Sequence, residues 1–296
     1  MDNLRGAALM VLAMLGFALE DMFIKLVADV MPIGQILFML GVGGAVVFAT
    51  VVRLQGDRLL APGMRSIPIA LRAIGELAGT MAFVSAIVFT PLSSASAILQ
   101  ATPLVVTLGA ALFLGEAVGW RRWSAITVGL FGVLLIIRPG MDSFEPLSLL
   151  AVIAVFSLGL RDLATRRVPP AITSMQLSFL GFSAIIPAGP IMLWATDQSP
   201  VIPQGATLAY FCGALFIGLF AYYAIVAAMR VGEVGFVTPF RYTRLLFALI
   251  IGVTIFGESP DALTLTGAAI IVASGIYTVL RERKQRRALS NAQPSV

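Results

Sequence analysis

Ten long apolar runs separated by short polar connections leave this chain few possible folds. They cover residues 6–28, 33–53, 66–88, 92–114, 120–138, 147–166, 172–194, 206–230, 234–257 and 261–281. Each is close to the roughly 20 apolar residues that a helix needs to cross a bilayer. Lipid offers no partner to a backbone N–H or C=O, so such a run must satisfy its own backbone, as a helix does. The expected fold is an all-α polytopic membrane protein with ten transmembrane helices. Composition agrees: 59% of the 296 residues are hydrophobic and 12% charged, against about 25% charged in an average soluble domain.

Two of the runs carry irregularities. Pro187 and Pro190 lie inside the seventh and should kink it, which membrane helices tolerate where neighbours satisfy the freed groups. The first contains Glu20, Asp21 and Lys25 but turns apolar again after them, unlike a cleaved leader.

Loop charges orient the spans. With the N-terminus in the cytoplasm, that side receives Arg5, Arg53, Arg58, Arg65, Arg121, Arg122, Arg166, Arg167, Arg230, Arg281, Arg283, Lys284, Arg286 and Arg287. Arg138 alone falls on the other side. Such an asymmetry is the positive-inside pattern for ten spans with both termini cytoplasmic. The basic segment 281–287 reads as an anchor for this topology.

The sequence also repeats itself with a shift of about 141 residues. Asp21 maps onto Asp162, Gln35 onto Gln176, Phe38 onto Phe179, and Gly115–Glu116 onto Gly257–Glu258 at the ends of two apolar runs. Five spans per repeat is an odd number, so the second repeat enters the membrane from the opposite side. The expected organisation is a 5+5 inverted repeat: residues 1–142, then 143–284, then a cytoplasmic basic and polar tail, 285–296. Inverted repeats supply the two faces of an alternating-access carrier and build a site where they meet.

Other classes lack their parts. There is no histidine, Cys212 is the only cysteine, and no phosphate-binding G-x-x-x-x-G-K-[ST] loop occurs. A His/Cys metal site, a His-based triad and an intrachain disulfide are therefore excluded. Neither a catalytic residue nor a cofactor is expected, and a nucleic-acid partner has no folded basic face to use. The expected partners are a small-molecule substrate and the lipid bilayer, with no obligate protein partner evident.

The ten-span layout, the two Gly–Glu pairs and the stretch Trp123-Ser-Ala-Ile-Thr-Val-Gly-Leu-Phe-Gly-Val-Leu-Leu-Ile-Ile-Arg-Pro139 resemble EamA-type members of the drug/metabolite transporter superfamily. The segment Thr238-Pro-Phe-Arg-Tyr-Thr243 and the chain length are similar to those of inner-membrane exporters of aromatic amino acids. The resemblance implies a secondary transporter that exports small amphipathic metabolites, above all aromatic or other apolar amino acids. One departure separates the halves: Pro103 precedes Glu116 by thirteen residues, whereas Leu245 holds that place before Glu258 and the second half has Pro239 instead. Pro103 and Pro239 are the expected points of conformational change.

Charges within the spans give the candidate site. Lys25, Arg72, Arg161, Arg241 and Arg244 lie there with Glu20, Asp21, Glu76 and Asp162. Each costs roughly 2.5–3.5 kcal/mol at the bilayer centre unless it meets a partner or a cavity. Asp21 with Lys25, and Arg72 with Glu76, have the i,i+4 spacing of a pair along one helix face. Arg241 and Arg244 have no acid on their own helix and need Glu20, Glu76, Asp162 or a substrate carboxylate. With the aromatic and amide groups nearby, the expected substrate-binding set is Glu20, Arg72, Glu76, Phe83, Gln100, Arg161, Tyr222, Tyr223, Tyr242 and Arg244. Two other readings fit the same charges: an exchanger of anionic metabolites using an arginine clamp, and a non-transporting scaffold subunit.

Overall fold

The computed structural model of the chain describes residues 2–61, 63–115, 119–141 and 144–292. Glu116 and the expected boundary at 142/143 lie outside the described residues. Among those described, secondary structure is all helical, and the helices form ten spans. The first three are single helices, α1 (Asp2–Val27), α2 (Ile33–Leu54) and α3 (Ile67–Phe89). The fourth is broken into α4 (Leu92–Leu99) and α5 (Thr102–Phe113); the fifth is α6 (Trp120–Ile137) and the sixth α7 (Leu149–Thr165). The seventh comprises α8 (Ser174–Ile185) and α9 (Ala188–Ala195), and the eighth is α10 (Gly205–Val231). The ninth runs through α11 (Val234–Val237), a 3₁₀ turn (Thr238–Tyr242) and α12 (Thr243–Phe256), and the tenth is α13 (Ala262–Ala292). Nine spans have the length and hydropathy to cross a bilayer, while the apolar part of the fifth, Trp123–Ile137, is shorter. α13 continues past the expected repeat end at 284, because Arg, Lys, Gln and Ala favour helix even where lipid no longer demands it.

Prolines set the breaks. Pro103 sits in the first turn of α5, Pro187 caps α9, and Pro239 opens the 3₁₀ turn. A proline removes one N–H and clashes with the carbonyl four residues earlier, so the helix stops or tightens before it. The hydroxyls of Thr102 and Thr243 donate to Leu99 O at 2.6 Å and Phe240 O at 2.7 Å, satisfying carbonyls freed at two of these breaks.

Packing joins the halves span by span. α1 lies along α10 and α3 along α7, two pairings that the repeat exchanges. α2 packs on α8 and α9, α6 on α13, and α4 on α12, each span meeting its own counterpart. Small residues allow the closest approaches: a Cβ on Gly75 would stand 2.6 Å from Ser157 O and 2.8 Å from Arg161 N of α7.

Polar ties repeat the exchange. Gln35 donates to Val201 O at 2.6 Å and accepts from Val201 N at 2.8 Å, while Gln176 donates to Arg58 O at 2.7 Å. Gln35 and Gln176 are repeat counterparts, and Arg58 and Val201 lie in the corresponding connections, those after the second and seventh spans. Each half therefore grips the connection of the other with the same side chain, on opposite faces of the membrane. We call the face carrying both chain ends the terminal face and the other the opposite face.

Candidate functional site

The interior site forms where the broken ninth span crosses α1 and α3. The 3₁₀ turn ends at Tyr242, and Arg244 is the second residue of the helix that resumes there. Its Nε and Nη2 donate to Asp21 Oδ2 of α1 at 3.2 and 2.7 Å. The guanidinium lies between two rings, its Cζ 5.3 Å from the centroid of Phe17 and 5.2 Å from that of Phe83. Such placement attracts a cation to both ring faces and confines it to one plane. Asp21 is only 3% exposed. Nη1 of Arg244 makes no hydrogen bond among the described residues.

This corrects the expected Asp21–Lys25 pair. α1 turns Asp21 toward α12, while Lys25 reaches the end of α3, donating to Ile87 O and Thr90 O at 2.7 Å each. Lys25 Nζ also lies 4.0 Å from Glu258 Oε1. The Glu258 carboxylate caps the first turn of α4, accepting from Leu92 N at 2.5 Å, Ser93 N at 3.0 Å and Ser93 Oγ at 2.6 Å. An anion there meets the free N–H groups and positive end of a helix, and it bridges the second half to the first. Gly257 before it takes the left-handed conformation at φ 63° and closes α12.

Glu20 lies three residues after Phe17 on α1, with its carboxyl against Gly218 of α10. It has no hydrogen bond or ion pair among the described residues. Gln100 and Tyr242 sit where the two broken spans meet. Gln100 Nε2 donates to Arg241 O at 3.3 Å, joining residues 141 positions apart, so the two breakpoints touch each other. Tyr242 is 5% exposed; its hydroxyl has no hydrogen-bond partner among the described residues and abuts Gly275 of α13.

Arg72, Glu76 and Arg161 gather elsewhere, between α3 and α7 toward the terminal face. Arg161 Nη1 donates to Glu76 Oε1 at 3.0 Å, Arg161 Nε to Asp162 Oδ1 at 2.8 Å, and Arg72 Nη2 lies 3.6 Å from Glu76 Oε2. Two cations and two acids neutralise each other, so Asp162 and Glu76 are not the company of Arg244. Tyr222 packs its ring with Phe48 at 5.3 Å and Phe182 at 5.8 Å, in a cluster of α2, α8 and α10. Tyr223 is 64% exposed on the outside of the bundle. Adjacent helical residues point about 100° apart, and here Tyr222 turned into the bundle leaves Tyr223 on its outer face.

Of the ten residues expected to bind substrate, the structure brings Phe83, Arg244, Glu20, Gln100 and Tyr242 together, and it adds Phe17 and Asp21 beside them; the Glu258 cap also lay outside the expected set. A signal for Asp21 was present, since the repeat aligns it with Asp162, and both acids have an arginine partner.

On the opposite face a cavity of about 270 Å³ is lined by Ser93, Ser94, Arg138, Glu145, Glu258 and Asp261. Arg138 pairs with Asp261 and donates to Thr264 Oγ1 at 3.1 Å. That guanidinium hydrogen bond holds the Asp261 carboxyl well below the usual carboxylate range.

An interior ion pair thus joins two interlocked halves across the middle of the bundle. The chain belongs to the EamA-like transporter family, which matches residues 4–138 and 146–280. It is 28% identical over 277 residues to the pseudopaline exporter of Pseudomonas aeruginosa, across 92% of this chain and 94% of that protein. It is 32% identical over 203 residues to the riboflavin transporter of Vibrio cholerae, covering 67% and 65% of the two chains. With the S-adenosylmethionine uptake transporter of Rickettsia felis it shares 27% identity over 214 residues, 72% of each. A crystal structure with 18% identity shares the fold at a TM-score of 0.56, over 92% of this chain and 98% of that one. The chain is a multi-spanning small-molecule transporter and not an enzyme.

Proposed function

We propose that this transporter exports small amphipathic zwitterions, foremost aromatic and other apolar amino acids, from the cytoplasm across a bacterial inner membrane. The carrying observation is Arg244, held by Asp21 through Nε and Nη2 and flanked by Phe17 and Phe83. Asp21 and the two rings fix the guanidinium in place, and Nη1 is left to donate to a substrate carboxylate. The unpaired carboxyl of Glu20, next along α1, accepts the substrate's ammonium. The rings and the surrounding apolar spans take its side chain. Gln100 and Tyr242, at the contact of the two broken spans, link occupancy of the site to rotation about Pro103 and Pro239. The terminal face is cytoplasmic on the charge placement of the loops.

Two features favour this reading over an arginine clamp for anions. Arg72 and Arg244 are each already paired with an acid, so a substrate of net negative charge would meet no uncompensated cation at either, whereas a zwitterion brings an ammonium for Glu20 together with its carboxylate.

Counterflow in proteoliposomes tests the proposal. Vesicles loaded with phenylalanine are expected to exchange labelled phenylalanine and tryptophan, to ignore phenethylamine, which lacks the carboxylate, and to ignore succinate. Arg244→Lys should retain part of the exchange and Arg244→Gln should lose most of it. Normal exchange by well-folded Arg244→Gln protein would end the proposal, and exchange of succinate instead of phenylalanine would favour the anion reading.

A further inference from the structure

Among the described residues, each acid in the membrane interior except one has a cation or a helix end to answer it. Asp21 is taken by Arg244, Glu76 and Asp162 by Arg161, and Glu258 by the first turn of α4. Glu20 is the exception. The repeat makes the contrast sharper, since position 161, its counterpart, is an arginine. In the second half the pair of adjacent charges, Arg161–Asp162, is neutral; in the first half Glu20–Asp21 is doubly acidic and meets the single cation Arg244.

Among the described residues, none packed around Glu20 forms an ion pair with its carboxyl. α10 presents Gly218 there, while its tyrosines are engaged elsewhere: Tyr210 stacks on Phe23 at 5.9 Å, Tyr222 joins Phe48 and Phe182, and Tyr223 faces outward. Cys212 on the same helix is partly buried. α12 brings Arg244, already engaged, and α3 brings Arg72 and Glu76, tied into the network with Arg161. The 3₁₀ turn brings Arg241, whose side chain has no ion pair among the described residues, and Tyr242. α1 itself adds Asp21 and Lys25, and Lys25 is bound to Ile87 O and Thr90 O.

We propose that Glu20 is a proton-binding site, and that the transporter exchanges a proton entering the cell for each zwitterion leaving it. The inference rests on the carrier reading above and adds its driving force. The proton and the substrate's ammonium satisfy the same carboxyl, so only one occupies it at a time. Arrival of the ammonium releases the proton to the compartment then facing the site; departure of the substrate on the other side lets a proton bind. A lone carboxylate in the interior, with neither, carries the cost of an unpaired intramembrane charge, and that cost disfavours movement of the empty, unprotonated carrier.

Infrared titration of the full chain in liposomes, without substrate, tests the site directly. A protonated-carboxyl C=O band should disappear on alkalinisation. It should be lost in Glu20→Gln and kept, at a shifted midpoint, in Glu20→Asp, with thermal unfolding confirming that each variant is folded. Gly218→Ala provides an independent check, because its Cβ displaces the carboxyl and should move the same midpoint. Phenylalanine efflux should then accelerate several-fold under an inward proton gradient in the wild type and in Glu20→Asp, and lose that acceleration in Glu20→Gln. A band absent from the wild type, or unchanged in Glu20→Gln, overturns the proposal. So does phenylalanine flux indifferent to the gradient. A band lost in Glu20→Gln from a protein that carries no phenylalanine leaves the proton site standing and removes the amino-acid reading instead.

Discussion

Among individual residues, the Arg244–Asp21 pair is at once a structural tie and the centre of the candidate site, and the two roles can be separated by charge. Asp21→Asn leaves a guanidinium uncompensated in the interior, which should cost roughly 3–5 kcal/mol. Removing the cation too, in Asp21→Asn/Arg244→Gln, should restore most of that stability without restoring flux, as read by thermal unfolding and counterflow on one preparation. A double variant as unstable as the single one would show that the pair is not the source of the loss. Spacing along one helix suggested a different partner for Asp21. Both Lys25 and Arg244 were visible as intramembrane cations, but the i,i+4 rule sees only one helix. Which way a helix is rotated about its axis, and so which neighbour its acid meets, is decided by packing against other spans, and a single sequence does not carry that information. The same limit placed Tyr222 and Tyr223 in the pocket.

For the helical elements, the breaks were readable and their mutual contact was not. Pro103, Pro187 and Pro239 each stand at an interruption, because the missing N–H and the ring clash act locally. That the breaks of the fourth and ninth spans touch through Gln100 and Arg241 required the fold. Pro103→Ala should let α4 and α5 merge into a straighter span, slowing counterflow several-fold while thermal stability holds or rises; an unaltered rate would mean that this break does not move during transport. Glu258 supplies a second test. Glu258→Gln keeps hydrogen-bonding capacity but removes the charge at the first turn of α4 and beside Lys25. Cysteine substitutions in the cavity of the opposite face, such as Ser94→Cys, should then react faster with a polar maleimide than in the Glu258 parent. An unchanged labelling rate would show that the cap is not part of closure there. Asp261 on the same face should respond to acid. Its carboxyl is held low by Arg138, so the stabilisation is present above the ordinary carboxylate range and fades only as pH drops through the lower, folded-state value. Asp261→Asn should therefore flatten the acid limb of the stability curve.

The whole molecule was the most legible level. Ten spans and their inversion follow from run lengths, loop cations and an odd number of spans per repeat, all of which are properties of lipid as a solvent rather than of particular side-chain partners. Reporter fusions at the N-terminus and on the tail after α13 should both read cytoplasmic; opposite readings would remove the assignment of the terminal face. The paired glutamines extend the argument. Gln35→Ala should leave Val201 N and O without their partner, costing about 1 kcal/mol, and Gln176→Ala should cost a similar amount at Arg58 O. Because each glutamine holds a connection that belongs to the other half, the first five spans, once made, have nothing yet to hold. During synthesis they must wait in the bilayer, with α1 and α3 lacking the helices they lie along, until the ribosome delivers the rest. Two gene fragments divided near the chain's midpoint should accordingly yield short-lived products when expressed singly and a persistent, active carrier when expressed together.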